Sequence, residues 1–293
     1  FLPFLPKDYC QISIDREHEA YLQYYFPEIK RGLFLPLAGT SLWEDDTLPK
    51  WEERPYDVVF TGNYTPLSKF EPTIERHGKE YADFYYGIIE DFKKHPHLGM
   101  DIGIREHLLS EVEDITEDGV KEMMPNMIMI DLYVRNYFRG KVVQTLVDAG
   151  VSVHCFGAGW EFLPCEHPEN LIKEGGVDSL ACLQALSKAK VSLNVMPWFK
   201  DGAHDRVFNS MLNGAVCFTD WSRYLTENLR DGEDIFFYEL DALECLPDMV
   251  QGILENRKKW EHMQKAAYET AEKSHTWEHR AGAVHKEILS KIR

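Results

Sequence analysis

Positive charge is in short supply in this chain: 32 Lys and Arg stand against 49 Asp and Glu among 293 residues, a formal net charge of −17. A surface so acidic repels polyanions, which argues against nucleic acid or an anionic lipid surface as partner. Runs of eighteen or more apolar residues are absent, so no membrane-spanning helix is expected. The apolar opening FLPFLP is too short for a signal peptide and lacks both the basic flank and the small-residue cleavage site. CxxC spacing is missing as well. Six cysteines (Cys10, Cys155, Cys165, Cys182, Cys217, Cys245) are scattered through apolar segments, which predicts reduced, mostly buried thiols rather than disulfides or a zinc site. These absences describe a cytoplasmic protein with one large or two modest domains.

What is present begins with Val191 to Asp220, VSLNVMPWFKDGAHDRVFNSMLNGAVCFTD. It reads as a buried strand, a Gly-containing polar loop, a short helix, an Asn-Gly turn and a second buried strand. Such a unit aims a helix N-terminus at one spot, where aligned peptide dipoles stabilise an anion. Lys200, His204 and Arg206, beside Gly202, add side-chain donors there. A small phosphorylated ligand fits this chain where a polyanion does not.

Apolar periodicity predicts a strand over 10–15, a helix over 16–26 and a strand over 32–37, stopped by Pro36 and the Ala38-Gly39 pair. The acidic, aperiodic stretch 40–55 reads as a linker, with a domain boundary near residue 50 and a strand over 56–62. Long helices are expected over 68–95 and 102–150, the first marked by Tyr81, Phe84, Tyr85, Ile88, Ile89 and Phe92. The Met-rich run from Met123 to Met129 is read as helical core packing rather than a cofactor box. Strand and helix then alternate: strands over 151–157, 171–173, 191–196, 215–219 and 235–238, helices over 177–189, 204–213 and 224–229, and a charged helical end. Apolar strands alternating with helices imply an α/β fold, a Rossmann-like parallel sheet covered on both faces. Ligands bind such sheets beyond the carboxyl ends of the strands, so the loops after Phe60, Phe156, Val195 and Phe218 should meet at one crevice. Gly62, Asn63 and Tyr64 would let main chain approach a ligand, and Gly157, Gly159 and Trp160 would offer glycines and an aromatic face.

In this order, SIDREHEAYLQYYFPEIKRGLFLPLAG, YDVVFTGNYTP, VSVHCFGAGW, LSKAKVSLNVMPWFKDGAHDRVFNSMLNGAVCFTD, DGEDIFFYEL and HTWEHRAGAVHKEIL resemble the C-terminal nucleotide-sugar-binding domain of GT-B glycosyltransferases of group 1, in the branch of spore-maturation-like proteins. The resemblance implies metal-independent transfer of a sugar, a hexosyl group among them, from a nucleotide-diphosphate-sugar donor, UDP-sugar first, to a glycan or protein acceptor hydroxyl. It places His204, Asp205 and Arg206 at the pyrophosphate or sugar, with Arg206 offsetting the leaving group's negative charge. Gly62 and Asn63 would face the phosphates, and the Lys173–Gly176 turn, including Gly175, would touch the base edge. Asn209 stands where many relatives carry a glutamate for the donor ribose. Residues 1–50 would then be a remnant of an N-terminal Rossmann domain with its linker, and 51–293 a nucleotide-sugar-binding domain with a helical insertion at about 68–140. The acceptor domain is expected to be missing from the chain, or else the helical stretch takes over part of its role. A non-catalytic nucleotide-sugar-binding module and a nucleotide-sugar epimerase are the competing readings.

Two further patterns invite chemistry. His275, Glu278 and His279 match HxxEH, but no third ligand follows, and a docking terminal helix is the expected reading. Asp15 and His18 resemble a catalytic pair, and Asp15 is expected to cap a helix instead. His95 and His97 are read as a solvated helix end.

Overall fold

The structure, a computed structural model, describes residues 6, 9–43 and 47–292. The FLPFLP opening, Pro6 apart, and residues 44–46 of the acidic linker lie outside the described residues. Near the N-terminus β1 (Cys10–Ser13), α1 (Arg16–Tyr25) and β2 (Lys30–Phe34) form a small βαβ unit with parallel strands. β2 ends two residues short of Pro36, which has no N–H to donate. Helix α1 begins at Arg16 because the Asp15 carboxylate accepts the Glu17 N–H at 2.8 Å. The same buried carboxylate accepts the N–H groups of Lys200 and Asp201, each at 3.0 Å. One side chain therefore starts a helix and fastens the N-terminal unit to a distant loop, as a capping rather than a catalytic residue.

The main sheet has six parallel strands: β3 (Tyr56–Thr61), β4 (Val153–Phe156), β5 (Leu171–Gly175), β6 (Ala189–Asn194), β7 (Val216–Asp220) and β8 (Phe236–Tyr238). Their order is β5-β4-β3-β6-β7-β8, the doubly wound arrangement in which chain direction across the sheet reverses between β3 and β6. Phe60 faces Leu193 across that switch point. The expected parallel α/β sheet is thus present, and its strands are apolar because both faces are covered: Val58, Val59 and Phe60 are fully buried.

The crossover from β3 to β4 is long. It holds α2 (Glu71–Glu75), α3 (Lys79–Lys94), α4 (Met100–Glu111), α5 (Glu117–Met123) and α6 (Ile128–Asp148) where two helices were expected. Gly78 at φ +96° ends the first run, and Asp114 at φ +55°, followed by the Thr116 cap of α5, breaks the second. Met127 is buried in the core, as the reading of the Met run holds, while Met123, Met124 and Met129 are only partly covered. The remaining helices are α7 (Ser179–Ser187), α8 (Asp205–Leu212), α9 (Arg223–Asn228), α10 (Leu246–Leu254), α11 (Arg257–Ser274) and α12 (Trp277–Ile292). No disulfide joins the cysteines, but only Cys155 and Cys217 are buried, and Cys245, in the turn before α10, is exposed, which corrects the mostly buried expectation.

Arg54 is the least exposed arginine or lysine among the described residues, at 1%. Its guanidinium donates to the carbonyls of Pro49, Leu186, Ala189 and Asn213 at 2.7–3.3 Å and lies over the Trp260 ring. Burial pulls its pKa down to about 9, so the charge persists at neutral pH.

Two strand-end loops are pressed together by glycines. A Cβ at Gly157 would lie 2.1 Å from the Gly62 carbonyl oxygen, and one at Gly159, where φ is +91°, 1.9 Å from that of Tyr64. We expect Gly159→Ala to destabilise the protein by about 3 kcal/mol or more in urea unfolding, since left-handed strain and overlap add. Gly87→Ala, on an exposed face of α3 with nothing within 4 Å, should instead stabilise it by about 0.5–1 kcal/mol.

Candidate active site

Past the carboxyl ends of β3, β4 and β6 lies a crevice of about 470 Å³. Two helices aim their N-termini at it: α8, capped by His204, and α7, capped by Asp178, whose carboxylate accepts the Ala181 N–H. Gly62, Asn63, Gly157, His204, Arg206 and Asn209 line it, together with Asp205. Three of the strand-end loops expected to meet there do so; the loop after Phe218 does not contribute.

The electrostatic centre of the crevice is a pair of arginines. Arg206, on the first turn of α8, is 8% exposed, and its Nη1 is buried without a hydrogen-bond partner. Arg139, on α6, donates from Nη1 to the Asn63 carbonyl oxygen at 2.5 Å and leaves its Nε buried and unpartnered. Both guanidiniums lie over the Phe60 ring, at 5.2 and 5.9 Å. Among the described residues neither forms an ion pair. Burial, and then the facing charges of Arg206 and Arg135, pull Arg139 down to about 9, and burial lowers Arg206 as well. An unsatisfied buried donor costs about 1–3 kcal/mol, so two converging cations with free N–H groups form a site that an anion would relieve. Gly62, at φ +150°, keeps the approach open: a Cβ there would sit 3.6 Å from Arg206 Nη1.

His204 does not add to this charge. Burial first, then Arg206, lowers its pKa to about 4, so the ring is neutral, and its Nδ1 accepts the Arg206 backbone N–H at 3.1 Å. It is a capping group and a weak base. Asp205 lies 2.8 Å from the His204 ring, and its outer oxygen accepts from Asn209 Nδ2 at 3.2 Å. Asn209 lines the crevice, and its amide oxygen accepts the Thr40 N–H at 2.8 Å, which leaves its second lone pair for a ligand.

Other expected residues serve the frame. Trp160 is 1% exposed, stacks on Tyr64 at 5.4 Å and donates its indole N–H to the Gly62 carbonyl at 2.9 Å, so it supports the loop beneath the crevice instead of presenting a face. Tyr64 is likewise buried. Lys173 and Gly175 lie on edge strand β5, where the Gly175 carbonyl accepts the Gly157 N–H; the crevice is lined two and four residues later, by Val177 and Ser179. Lys200 turns the other way, donating to the Pro96 carbonyl, and Gly202 packs on the Asp15 backbone through an isolated bridge. The polar loop thus holds the N-terminal unit, while only His204 to Arg206 reach the crevice.

Sequence reading missed Arg139, Thr40, Thr61, Ser179 and Trp277, which line the same cavity. A signal for Arg139 existed: Arg135 and Arg139 sit four apart, on one face of α6. The HxxEH histidines do not converge. His275 is 3% exposed and stacks on Phe208 at 4.3 Å, whereas His279 faces the Thr276 hydroxyl at 2.7 Å. His95 is exposed at the α3 end, and His97 stacks on Trp221.

The profile of a family described as glycosyl transferase-like matches residues 139–286, half of the chain. The chain belongs to this family. It begins at Arg139 and takes in every strand from β4 to β8. No curated protein sequence matches the chain significantly. Among solved structures, the GtfA/B complex is similar with a TM-score of 0.50 and 12% identity, covering 97% of this chain and 45% of that one. TarM gives 0.50 and 10%, covering 95% and 42%. T4 phage BGT, in complex with its UDP-glucose substrate, gives 0.50 and 14%, covering 96% and 62%. The fold of this glycosyl transferase-like chain is that of the GT-B glycosyltransferases. It spans less than two thirds of the length of each of these structures. Among its described residues, no helix is long and apolar enough to cross a membrane.

His275 gives a measurable pH signature. Burial, then Arg280, lowers it from 6.5 to about 4. Between those values the unfolded chain binds a proton that the native state does not, so this residue's contribution to stability is lost as pH falls from 6.5 towards 4. His275→Phe, which keeps the ring on Phe208, should reduce the slope of unfolding free energy against pH in that window by about 1.4 kcal/mol per unit, read from urea melts.

Proposed function

We propose that the chain binds a nucleotide-diphosphate sugar in the crevice and transfers its glycosyl group to an acceptor hydroxyl without a metal. The observation that carries this reading is the Arg139–Arg206 pair at the N-terminus of α8, without an ion pair among the described residues and with Arg139 Nε and Arg206 Nη1 buried and unpartnered. In the transfer, the acceptor oxygen bonds to the anomeric carbon while the bond from that carbon to the diphosphate breaks. The electron pair leaves on the nucleoside diphosphate, and the hydroxyl proton passes to a base or to water. The charge that grows on the departing diphosphate is met by the two guanidiniums and the helix dipole, which are already oriented and need no reorganisation. His204, neutral, holds Arg206 in place. Asp205, Asn209 and Thr40 form the wall where a ribose would rest, and the α7 end at Val177 and Ser179 the side where a base would lie.

UDP is the first nucleotide to test, because T4 phage BGT holds UDP-glucose. At a hundred times its Kd, UDP should add about 2.7 kcal/mol of stability, seen as a raised melting temperature. Arg206→Ala and Arg139→Ala should each weaken UDP binding by about tenfold or more in calorimetry, the loss expected for a charged hydrogen bond. If none of UDP, GDP, ADP, CDP and TDP raises the melting temperature, the reading fails. Binding without release of sugar from any donor would leave a nucleotide-sugar-binding module.

Arg139→Met separates the site from the fold. Removing a buried cation that repels Arg206 should hold or raise the melting temperature of the unliganded protein while cutting the UDP response at the same concentration from about 2.7 to about 1.4 kcal/mol or less.

A further inference from the structure

A second cavity, about 290 Å³, lies between α1 and the helices inserted after β3. Tyr21, Met100, Ile104, Met124, Met127 and Ile128 give it an apolar body. Its charged groups are Glu17, Asp101, Asp131, His18, Arg135 and Lys200. Arg135 pairs with Asp131, and Lys200 donates to the Pro96 carbonyl. Glu17 and Asp101 form no ion pair among the described residues, yet they converge: Glu17 Oε2 and Asp101 Oδ1 lie 2.9 and 3.5 Å from one point above Gly99. Burial, then Asp15 and Asp101, raises Glu17 to about 6 against the opposing pull of Lys200 and Arg223, and burial raises Asp101 too.

The cavity and the crevice share a wall. Trp198 lines the cavity, and its indole has the Arg135 guanidinium at 4.1 Å and the crevice's Arg139 at 5.8 Å. The His204 ring is 6.0 Å from it. Trp198 thus stands between the cavity's Arg135 and the crevice's Arg139 and His204.

We propose that this cavity is a second ligand site, coupled to the crevice through Trp198, and that it takes a small compound with an apolar, aromatic-sized body and a protonated amine directed at Glu17 and Asp101. The coupling rests on the donor reading, and the ligand class on the cavity alone. The apolar lining provides affinity, and the two carboxylates select a cation over a neutral or anionic analogue. The volume sits at the small end of ligand pockets, which suits a single ring with a short arm.

Calorimetry with tyramine, 4-ethylphenol and 3-(4-hydroxyphenyl)propanoate, which share a phenol and differ in the charge of the arm, tests the class. Tyramine should bind at least tenfold tighter than the other two, and the Glu17→Gln/Asp101→Asn variant should erase that preference. Ile128→Trp, at a half-exposed rim position, should weaken tyramine at least fivefold while circular dichroism and UDP affinity stay unchanged. Saturating UDP should tighten tyramine at least threefold, and Trp198→Ala should remove that coupling, as reciprocity across a shared wall requires. Equal binding of the three compounds, or tyramine binding untouched by Ile128→Trp, overturns the ligand class. Tyramine binding that ignores UDP overturns the coupling through Trp198. Absence of UDP binding to the unaltered protein, with amine preference intact, sinks the donor reading instead.

Discussion

The mutual repulsion of Arg139 and Arg206 is the constraint around which the rest is arranged. A chain of net charge −17 has carboxylates to spare, and Asp205 and Asp220 act on Arg206 from nearby, yet among the described residues neither arginine forms an ion pair. The guanidiniums are held by other means: an aromatic ring beneath both, the Asn63 carbonyl for one, and the neutral His204 ring for the other. Each device supplies contact without cancelling charge. The arrangement stores an electrostatic cost in the unliganded protein, and such stored cost is what ligand binding can release.

The supporting frame is built from rigid pieces. Glycines at 157 and 159 let two strand-end loops touch backbone to backbone, and Trp160 locks Gly62 from below. Asp15 does the corresponding task on the other side, using one carboxylate to tie three amide groups from two regions 185 residues apart. Asp15 turns its carboxylate to the backbone, while Glu17, two residues on, faces the second cavity. A single turn of α1 thus contributes both to the architecture and to the character of a site.

The parallel sheet was legible because strands buried on both faces must be apolar, and the alternation with helices left no other arrangement. The crevice was legible at Gly62, Asn63, Gly157 and Arg206, where a strand ends in glycine or a helix begins. What failed had a common cause: a side chain's direction is not written in its neighbours. Lys200 and Arg206 share a loop, yet Asp15 draws the first part of that loop towards α1. Trp160 looked like a binding platform and is a buried prop, because the loop of Tyr64 covers it. Arg139 was hidden in a segment read as an insertion, although the last helix of that segment is the one that returns the chain to β4.

Arg54 has a consequence at long range. It binds the Leu186 carbonyl in the last turn of α7 and the Asn213 carbonyl that closes α8, so one permanent cation sits at the negative pole of both helices whose positive poles face the crevice. Eight residues of α8 separate the poles by about 12 Å. With the far ends grounded in this way, the near ends present their field to an incoming phosphate without an opposing pole behind them. The peptide units of α7 and α8 become two short conductors wired to a common terminal, and a residue with no access to any ligand helps set the potential that the ligand meets.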